Sequence, residues 1–243
     1  MAVYTGIADA NGDFTIPFSS TYTGGQKITV TAEKDSATKS IKLFAPSDTG
    51  GGGVIQFTGN LTNFPDNIGD IVLTQLSGSI ANSTFDGTEY NCMYKKATGL
   101  DMSQCSITSI GINAFQRWAN AKRLILNNGL KTVGNNAFYA WTSLIELIIP
   151  DSVVSIGDSA FSDIDALQKI TIGSACTTIA DYAFSGLSAC NEIVMKPPTP
   201  PSIQAYTLRF LKSTCVIKVP TASLQAYQAA TNWSAHASKM VGI

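Results

Sequence analysis

The sequence predicts a β-rich α+β fold: a solenoid of 23-residue repeats with a C-terminal helical cap, preceded by a small all-β module. Three observations carry this. An Ala-Phe dipeptide recurs as Ala114-Phe115, Ala137-Phe138, Ala160-Phe161 and Ala183-Phe184, with successive phenylalanines 23 residues apart. Downstream of each dipeptide lies an alternating apolar pair, which is the periodicity of a strand. Ahead of all repeats, three short alternating segments end in a glycine run.

The repeating unit reads I-G-x-x-A-F. Four residues before each Phe stands Gly111, Gly134, Gly157 or Ala180, and five before stands Ile110, Val133, Ile156 or Ile179. The apolar pairs are Leu124 and Leu126, Leu147 and Ile149, Ile170 and Ile172, then Ile193 and Met195. Two further columns are Trp118, Trp141, Ile164, Leu187 and Ala121, Leu144, Leu167, Cys190. One unit of this size cannot bury its own apolar residues, whereas stacked units place each against its copy and build a continuous core. Ala before Phe lets neighbours approach, and Gly permits a turn or a close backbone contact. Residues repeated at the period are expected to be packing, so the phenylalanines are read as core rather than as a ligand cage.

These residues match a known pattern. I-x-x-I-G-x-x-A-F followed by L-x-x-I-x-I-P resembles the BspA-type leucine-rich repeats, and residues 145–161, IELIIPDSVVSIGDSAF, come close to that ideal. The resemblance covers roughly residues 105–243. Its usual ending is present too, in Pro198-Thr199-Pro200-Pro201, Ile217-Lys218-Val219-Pro220 and a Leu224, Tyr227, Trp233 segment. That last piece is expected to be a capping helix, with Thr221 or Ser223 as N-cap and the apolar residues covering the open end. Upstream the pattern loosens: Ile71, Leu73, Ile80 and Phe85 keep the spacing, but Phe85 to Phe115 is 30 residues, predicting an irregular first coil with an insertion near Thr88–Gly99. Ile55 and Phe57 are expected to begin an earlier cap.

Three domains follow. Residues 1–48 hold strands within residues 8–17, 25–34 and 40–44, and resemble the final strands of bacterial and phage immunoglobulin-like modules, though they are short for a full sandwich of about 100 residues. Residues 49–54 read as a Gly-rich linker, and 55–243 as the solenoid with irregular N-terminal coils and the cap.

Composition narrows function. With 16 basic and 17 acidic residues and 14% charged, the chain has no global attraction to nucleic acid or an anionic membrane. No apolar run approaches the roughly 18 residues a spanning helix needs, so membrane insertion is not expected. The five cysteines show neither CxxC pairs nor zinc spacing, and Cys176 and Cys190 fall in apolar columns, which predicts small buried residues. The one histidine, His236, sits in the cap segment. No nucleophile elbow, zincin or Walker motif appears. Asp9-Ala-Asn11-Gly-Asp13 faintly resembles a calcium loop without its distal Glu, and reads better as a hairpin turn. Carboxylates Asp151, Asp158, Asp163 and Asp165 lie among turn residues and read as solvated. Catalytic residues, metals and cofactors are therefore expected to be none, and the protein is expected not to be an enzyme.

The candidate site is the outward sheet face. If the apolar pairs point in, one outward column is Arg123, Glu146, Lys169, Glu192, whose alternating signs can neutralise along the stack. The next is Ile125, Ile148, Thr171, Val194, an apolar β-branched stripe that suits a contact surface. The resemblance implies attachment. Lacking a leader at its N-terminus and paired cysteines, the chain is expected to be a phage virion surface protein, tail or capsid associated, binding virion structural proteins or a host surface protein or glycan, possible oligomerisation included. The alternative is a BspA-like bacterial surface adhesin, located extracellularly or at the cell surface. A polysaccharide-acting enzyme is the third reading.

Overall fold

The repeats are joined by parallel β-ladders, as the period requires. The computed structural model describes strands at 13–16, 27–34, 37–44 and 54–60, then residues 70–87 and 96–243, with side chains described from residue 70 onward except 74–75 and 88–95. The strands are β1 (Asp13–Ile16), β2 (Lys27–Lys34), β3 (Ala37–Phe44), β4 (Val54–Asn60), β5 (Asp70–Ile80), β6 (Gly99–Ile110), β7 (Arg123–Ile125), β8 (Thr132–Val133), β9 (Glu146–Ile148), β10 (Ser155–Ile156), β11 (Lys169–Ile172), β12 (Thr178–Ile179), β13 (Glu192–Met195), β14 (Val216–Val219) and β15 (Met240–Gly242).

Each regular repeat contributes two strands to two different sheets. Its apolar pair begins in the longer strand, and β9, β11, β13, β14 and β15 pair in parallel in that order. The I-G strand lies in the other sheet, where β8, β10 and β12 pair in parallel behind β6. The irregular early repeat has a simple form: β6 is long enough to pair with β7 through Gly99–Asp101 and with β8 through Ser109–Ile110. One continuous strand does there what two strands do later. β5 pairs with β6 in parallel through several register shifts.

At the N-terminal end, β4 pairs antiparallel with β5, and β1 antiparallel with β4. β2 and β3 form a hairpin of their own. The Gly-rich linker predicted over 49–54 lies outside the described residues except for Val54, which opens β4. Most of the predicted insertion, at 88–95, and the Asp9–Gly12 part of the calcium-like segment lie outside them as well.

The interior follows the sequence columns. Leu124 and Leu126, Leu147 and Ile149, Ile170 and Ile172, and Ile193 and Met195 are all buried. The phenylalanines form one axial stack that includes Phe85: centroids are 4.9 Å apart for Phe85–Phe115, then 5.4, 5.2 and 5.6 Å to Phe184, with planes within 7°. Trp118 stacks on Trp141 at 5.4 Å. Their indole N–H groups donate to the carbonyls of Phe85 and Phe115, one repeat back, at 2.8 and 2.6 Å. A buried indole needs such a partner. Cys105, Cys176, Cys190 and Cys215 are free thiols in the core, and burial pushes Cys105 and Cys176 up to about 11.

The turns are bonded across repeats as well. Phe115, Phe138 and Phe161 N–H donate to the carbonyls of Ala137, Ala160 and Ala183 at 2.8–2.9 Å, and Arg117, Ala140 and Asp163 N–H reach the next repeat in the same way. To aim these groups along the stack, each turn holds two residues in the left-handed region: Asn113, Asn136, Ser159 and Tyr182 at φ 52–58°, and Arg117, Ala140, Asp163 and Gly186 at φ 57–87°. The glycine of I-G plays a different part. A Cβ on Gly134 would lie 2.7 Å from the carbonyl carbon of Gly111, and one on Gly157 2.7 Å from that of Gly134, so these glycines permit contact between backbones.

The C-terminal cap departs from expectation in two respects. A 3-10 turn, Thr221–Ser223, leads into α1 (Leu224–Ala229), and neither Thr221 nor Ser223 caps it by a side chain. Their hydroxyls go instead to the carbonyls of Ile243 at 3.1 Å and Pro198 at 2.5 Å. The second departure is β15, which adds to β14 as a further parallel strand. Prolines 197, 198, 200 and 201 carry no N–H for continuing a ladder, and the carbonyls of the buried Pro197 and Pro201 still need donors. Tyr227 Oη donates to Pro197 O at 2.9 Å, Trp233 Nε1 to Pro201 O at 2.7 Å and Asn232 Nδ2 to Ile203 O at 2.7 Å.

Two outcomes follow for stability. Gly157→Ala is expected to lower stability by about 2–3 kcal/mol through overpacking against backbone, and Gly129→Ala, whose Cβ would stand 3.3 Å from Asn127 Nδ2, to cost under about 1 kcal/mol. Urea unfolding compares them; equal losses would show that backbone contact is not what the I-G glycine provides. Tyr227→Phe is expected to cost about 1–2 kcal/mol by leaving the Pro197 carbonyl unpaired, read in the same titration, and no change would mean that water replaces the hydroxyl.

Candidate functional site

The outward residues of the longer strands line up in register. Glu146, Lys169, Glu192 and Val216 form one column, and Ile148, Thr171, Val194, Lys218 and Val241 the next. Their inward neighbours are core, so these side chains face solvent: Ile148 is 55% exposed, while Thr171 and Val194 are half-buried between neighbours. Arg123 and Ile125 precede them on β7, which pairs with β6. The apolar stripe is thus bounded by Lys218 at one end, and at the other Ile125 registers with Asp101.

The charged column splits in two. Arg123 turns away from Glu146 and donates to Asp70 Oδ2 at 3.0 Å and Asp101 Oδ2 at 3.1 Å, because its strand is bonded into the sheet of β5 and β6. Lys169 and Lys218 flank Glu192 at 3.4 and 2.6 Å. Among the described residues Glu146 has no ion pair. The alternating ladder expected from sequence therefore exists as two clusters with a free carboxylate between them. Hydrogen bonding from Lys218 and then Lys169 holds the Glu192 carboxyl below the usual range. Asp101 is also held low, despite the opposing effect of burial, by the Ser103 N–H at 2.8 Å and by Arg123.

The other groups considered from sequence serve local structure. Asp151 accepts from the Ser174 N–H at 3.0 Å and from Lys196 Nζ at 3.2 Å, which keeps it low. Asp158 accepts from the Ser159 hydroxyl and Asp163 from that of Ser162, and the Tyr139 phenol bonds to Asp163. Asp165 is exposed. His236 lies half-buried in the cap, where burial and the nearby Lys239 ammonium depress its basicity. Among the described residues no group of three His, Cys, Asp or Glu is placed to hold a metal. An interior cavity between Ile170, Phe184, Met195 and Trp233 is lined almost wholly by apolar side chains.

A second exposed surface was not foreseen. On the turns of the last repeats Tyr182 stacks on Tyr206 at 5.2 Å, and the Arg209 guanidinium lies 5.4 Å from the Tyr206 ring and 4.6 Å from that of Phe210. These residues fall in columns that vary between repeats, so periodicity gives no signal for them. Their signal is the aromatic side chain where earlier repeats place small or polar residues.

Residues 108–223 match the BspA type leucine rich repeat region in six copies. These residues are thus similar to BspA-type leucine-rich repeats over a little under half of the chain. The repeat after Ala183-Phe184 has no Ala-Phe, and its place is taken by Thr207-Leu208, since Phe184 N–H donates to Thr207 O as earlier phenylalanines do to Ala. No curated protein sequence matches the chain. Among solved structures it resembles the pneumococcal vaccine antigen PcpA, at 20% identity and TM-score 0.57 over 76% of this chain. The match spans 44% of the PcpA chain, so the likeness is one of fold. A leucine-rich-repeat protein of T. pallidum (18% identity, 75% of this chain, 92% of that one, TM-score 0.38) is also similar. So is a leucine-rich cell surface protein of Faecalibacterium prausnitzii (17%, 69% of each chain, TM-score 0.29).

The Glu192 cluster has a defined pH signature. A carboxyl depressed in the folded state contributes stability above its unfolded value of about 4.3, and that contribution is lost as pH falls through the folded value. Lys218→Met is accordingly expected to move the Glu192 carboxyl titration upward by NMR and to lower Tm by roughly 1–2 °C at pH 7, a difference that shrinks as pH falls below about 4.3 and closes once the Glu192 carboxyl is protonated in the folded state. A difference that persists after NMR shows the Glu192 carboxyl protonated would trace the effect of Lys218 to packing of its alkyl stem.

Proposed function

We propose that this chain is a non-enzymatic, adhesin-like binding protein working at or outside a bacterial cell surface, with the outer face of β9 to β14 as its contact surface. The observation that carries the reading is the register of that face: repeats hold Glu146, Ile148, Lys169, Thr171, Glu192 and Val194 in two parallel columns on a rigid sheet. Such a surface presents many weakly interacting groups at fixed spacing, which suits attachment to another macromolecule better than enclosure of a small substrate. Support comes also from the BspA-type repeats and from the likeness in fold to a pneumococcal vaccine antigen. In this reading the stacked repeats form a continuous solenoid, and β1 to β3 belong to an immunoglobulin-like unit that offers a second attachment point.

A virion role, preferred on sequence grounds, draws on nothing in the comparisons, and the surface-adhesin reading takes its place. The non-enzymatic reading is supported by the engagement of Asp151, Asp158 and Asp163 with turn N–H and hydroxyl groups or lysine, which leaves them occupied in structure.

The test is retention of fluorescently labelled chain on fixed epithelial monolayers and on immobilised extracellular-matrix extract. The triple variant Ile148→Glu, Thr171→Glu, Val194→Glu is expected to fold with unchanged circular dichroism and to lose about ten-fold or more in retention, about 1.4 kcal/mol or greater. Wild-type chain that binds neither surface, or a variant that binds as well as wild type, would overturn the assignment of this face.

A further inference from the structure

Charge along the chain is segregated in a way that the near-neutral total conceals. Residues 193–243 contain five basic residues, Lys196, Arg209, Lys212, Lys218 and Lys239, and no aspartate or glutamate, which leaves 11 basic and 17 acidic residues to the first 192. Lys196 and Lys218 are paired with Asp151 and Glu192 of earlier repeats. Arg209, Lys212 and Lys239 have no carboxylate partner among the described residues. The two lysines are neighbours, since Lys239 Nζ donates to the Ser213 carbonyl, beside Lys212, whose Nζ donates to Asn191 Oδ1 at 2.6 Å; Arg209 stands three residues earlier on the same turn, over the Tyr206 and Phe210 rings.

The same turn carries exposed aromatic rings that the fold does not use. Phe210 is 66% exposed and Tyr206 48%. Phe210 also sits at φ 61°, in the column of Arg117, Ala140, Asp163 and Gly186, where the turn imposes the left-handed conformation on whatever residue is present. Glycine or asparagine takes that conformation most readily, and a bulky residue there is an outlier. A phenylalanine that is strained and exposed buries little apolar surface for this chain, its described contact being with Arg209. The Gly186 N–H donates to Arg209 O in the last repeat, and the equivalent Phe210 N–H, with no repeat beyond it, has no acceptor among the described residues. The Arg209 guanidinium lies over the Phe210 and Tyr206 rings, an arrangement that leaves its edge N–H groups open for a bidentate oxyanion.

We propose that the turn Tyr206–Lys212, together with Lys239, is a binding site for an acidic polysaccharide, a chain of carboxylated or sulfated sugar rings. The cations and the Phe210 N–H meet the oxyanions, and the aromatic faces meet the apolar face of a sugar ring. A free phosphate or a small carboxylate uses only the first of these. Three cations neutralise too few phosphates for tight non-specific nucleic-acid binding, and the rings stand out from a turn, without a free strand edge or groove for a peptide. A polymer of repeating units gains from many copies of a shallow site. The site lies apart from the β9 to β14 face, so either assignment can fail without the other.

Biolayer interferometry of the full chain against immobilised hyaluronate, chondroitin sulfate and neutral dextran, at 50 and 150 mM salt, tests this. The acidic polymers are expected to bind and dextran not, with affinity falling as salt rises. Arg209→Ala is expected to weaken binding about ten-fold, and Lys122→Ala, a remote exposed lysine, to leave it unchanged. Phe210→Gly separates recognition from structure: binding weakens several-fold while Tm stays level or rises, because glycine adopts the turn without strain. Equal binding to dextran, no binding to any polymer, or wild-type affinity in both Arg209→Ala and Phe210→Gly would overturn the site. Polyglutamate or oligothymidine binding as tightly as hyaluronate would overturn the choice of a polysaccharide.

Discussion

The stack depends on one constraint: every repeat must satisfy its backbone on the repeat beside it. The ladders of β9 to β15 and of β8 to β12 do this on two sides, and the turns do it on another through Phe-to-Ala and related N–H to carbonyl bonds. Backbone groups that are buried must be paired, so the separation of neighbours is set by hydrogen-bond length and every side-chain column must accommodate it. Phenylalanine rings at 4.9–5.6 Å and parallel within 7° are what that separation produces. The I-G glycines and the left-handed turn residues are its steric cost.

Much of this was legible in the sequence because it repeats. The Ala-Phe interval, the inward pairs and the buried cysteine positions could be read directly, since a packing requirement imposed once per repeat leaves a column of similar residues. Positions answering to a local need were harder. Asn113 and Asn136 hint at positive φ, but Ser159 and Tyr182 adopt it because the turn demands it, against their own preference. Thr221 and Ser223 have the composition of N-caps, yet carbonyls elsewhere compete for their hydroxyls and win. Met240–Gly242 is too short to announce a strand and becomes one because β14 offers an open edge.

The outward face shows how topology edits a periodic prediction. Arg123 and Glu146 occupy equivalent places, and spacing alone makes them partners. Because β7 is bonded to β6, Arg123 instead finds Asp70 and Asp101, residues from strands that precede the regular pattern. The charges of the sheet are thereby partitioned into an early cluster and a late one, with Ile148 and the unpaired Glu146 between them. Charge unlike that of the rest of the chain then gathers at the far end, around Arg209.

The proline-bearing segment that follows β13 has a bearing on assembly. An array built by templating backbone on backbone presents, at its last unit, a surface that would recruit any similar unit from solution. Here part of that surface is engaged from within the chain: Tyr227, Asn232, Trp233 and Ser223 donate to carbonyls of the proline-bearing segment, and β15 pairs with the edge of β14. Among the described residues β15 is then the last strand of its sheet, and the carbonyls behind it are held by this chain's own side chains, as buried acceptors require.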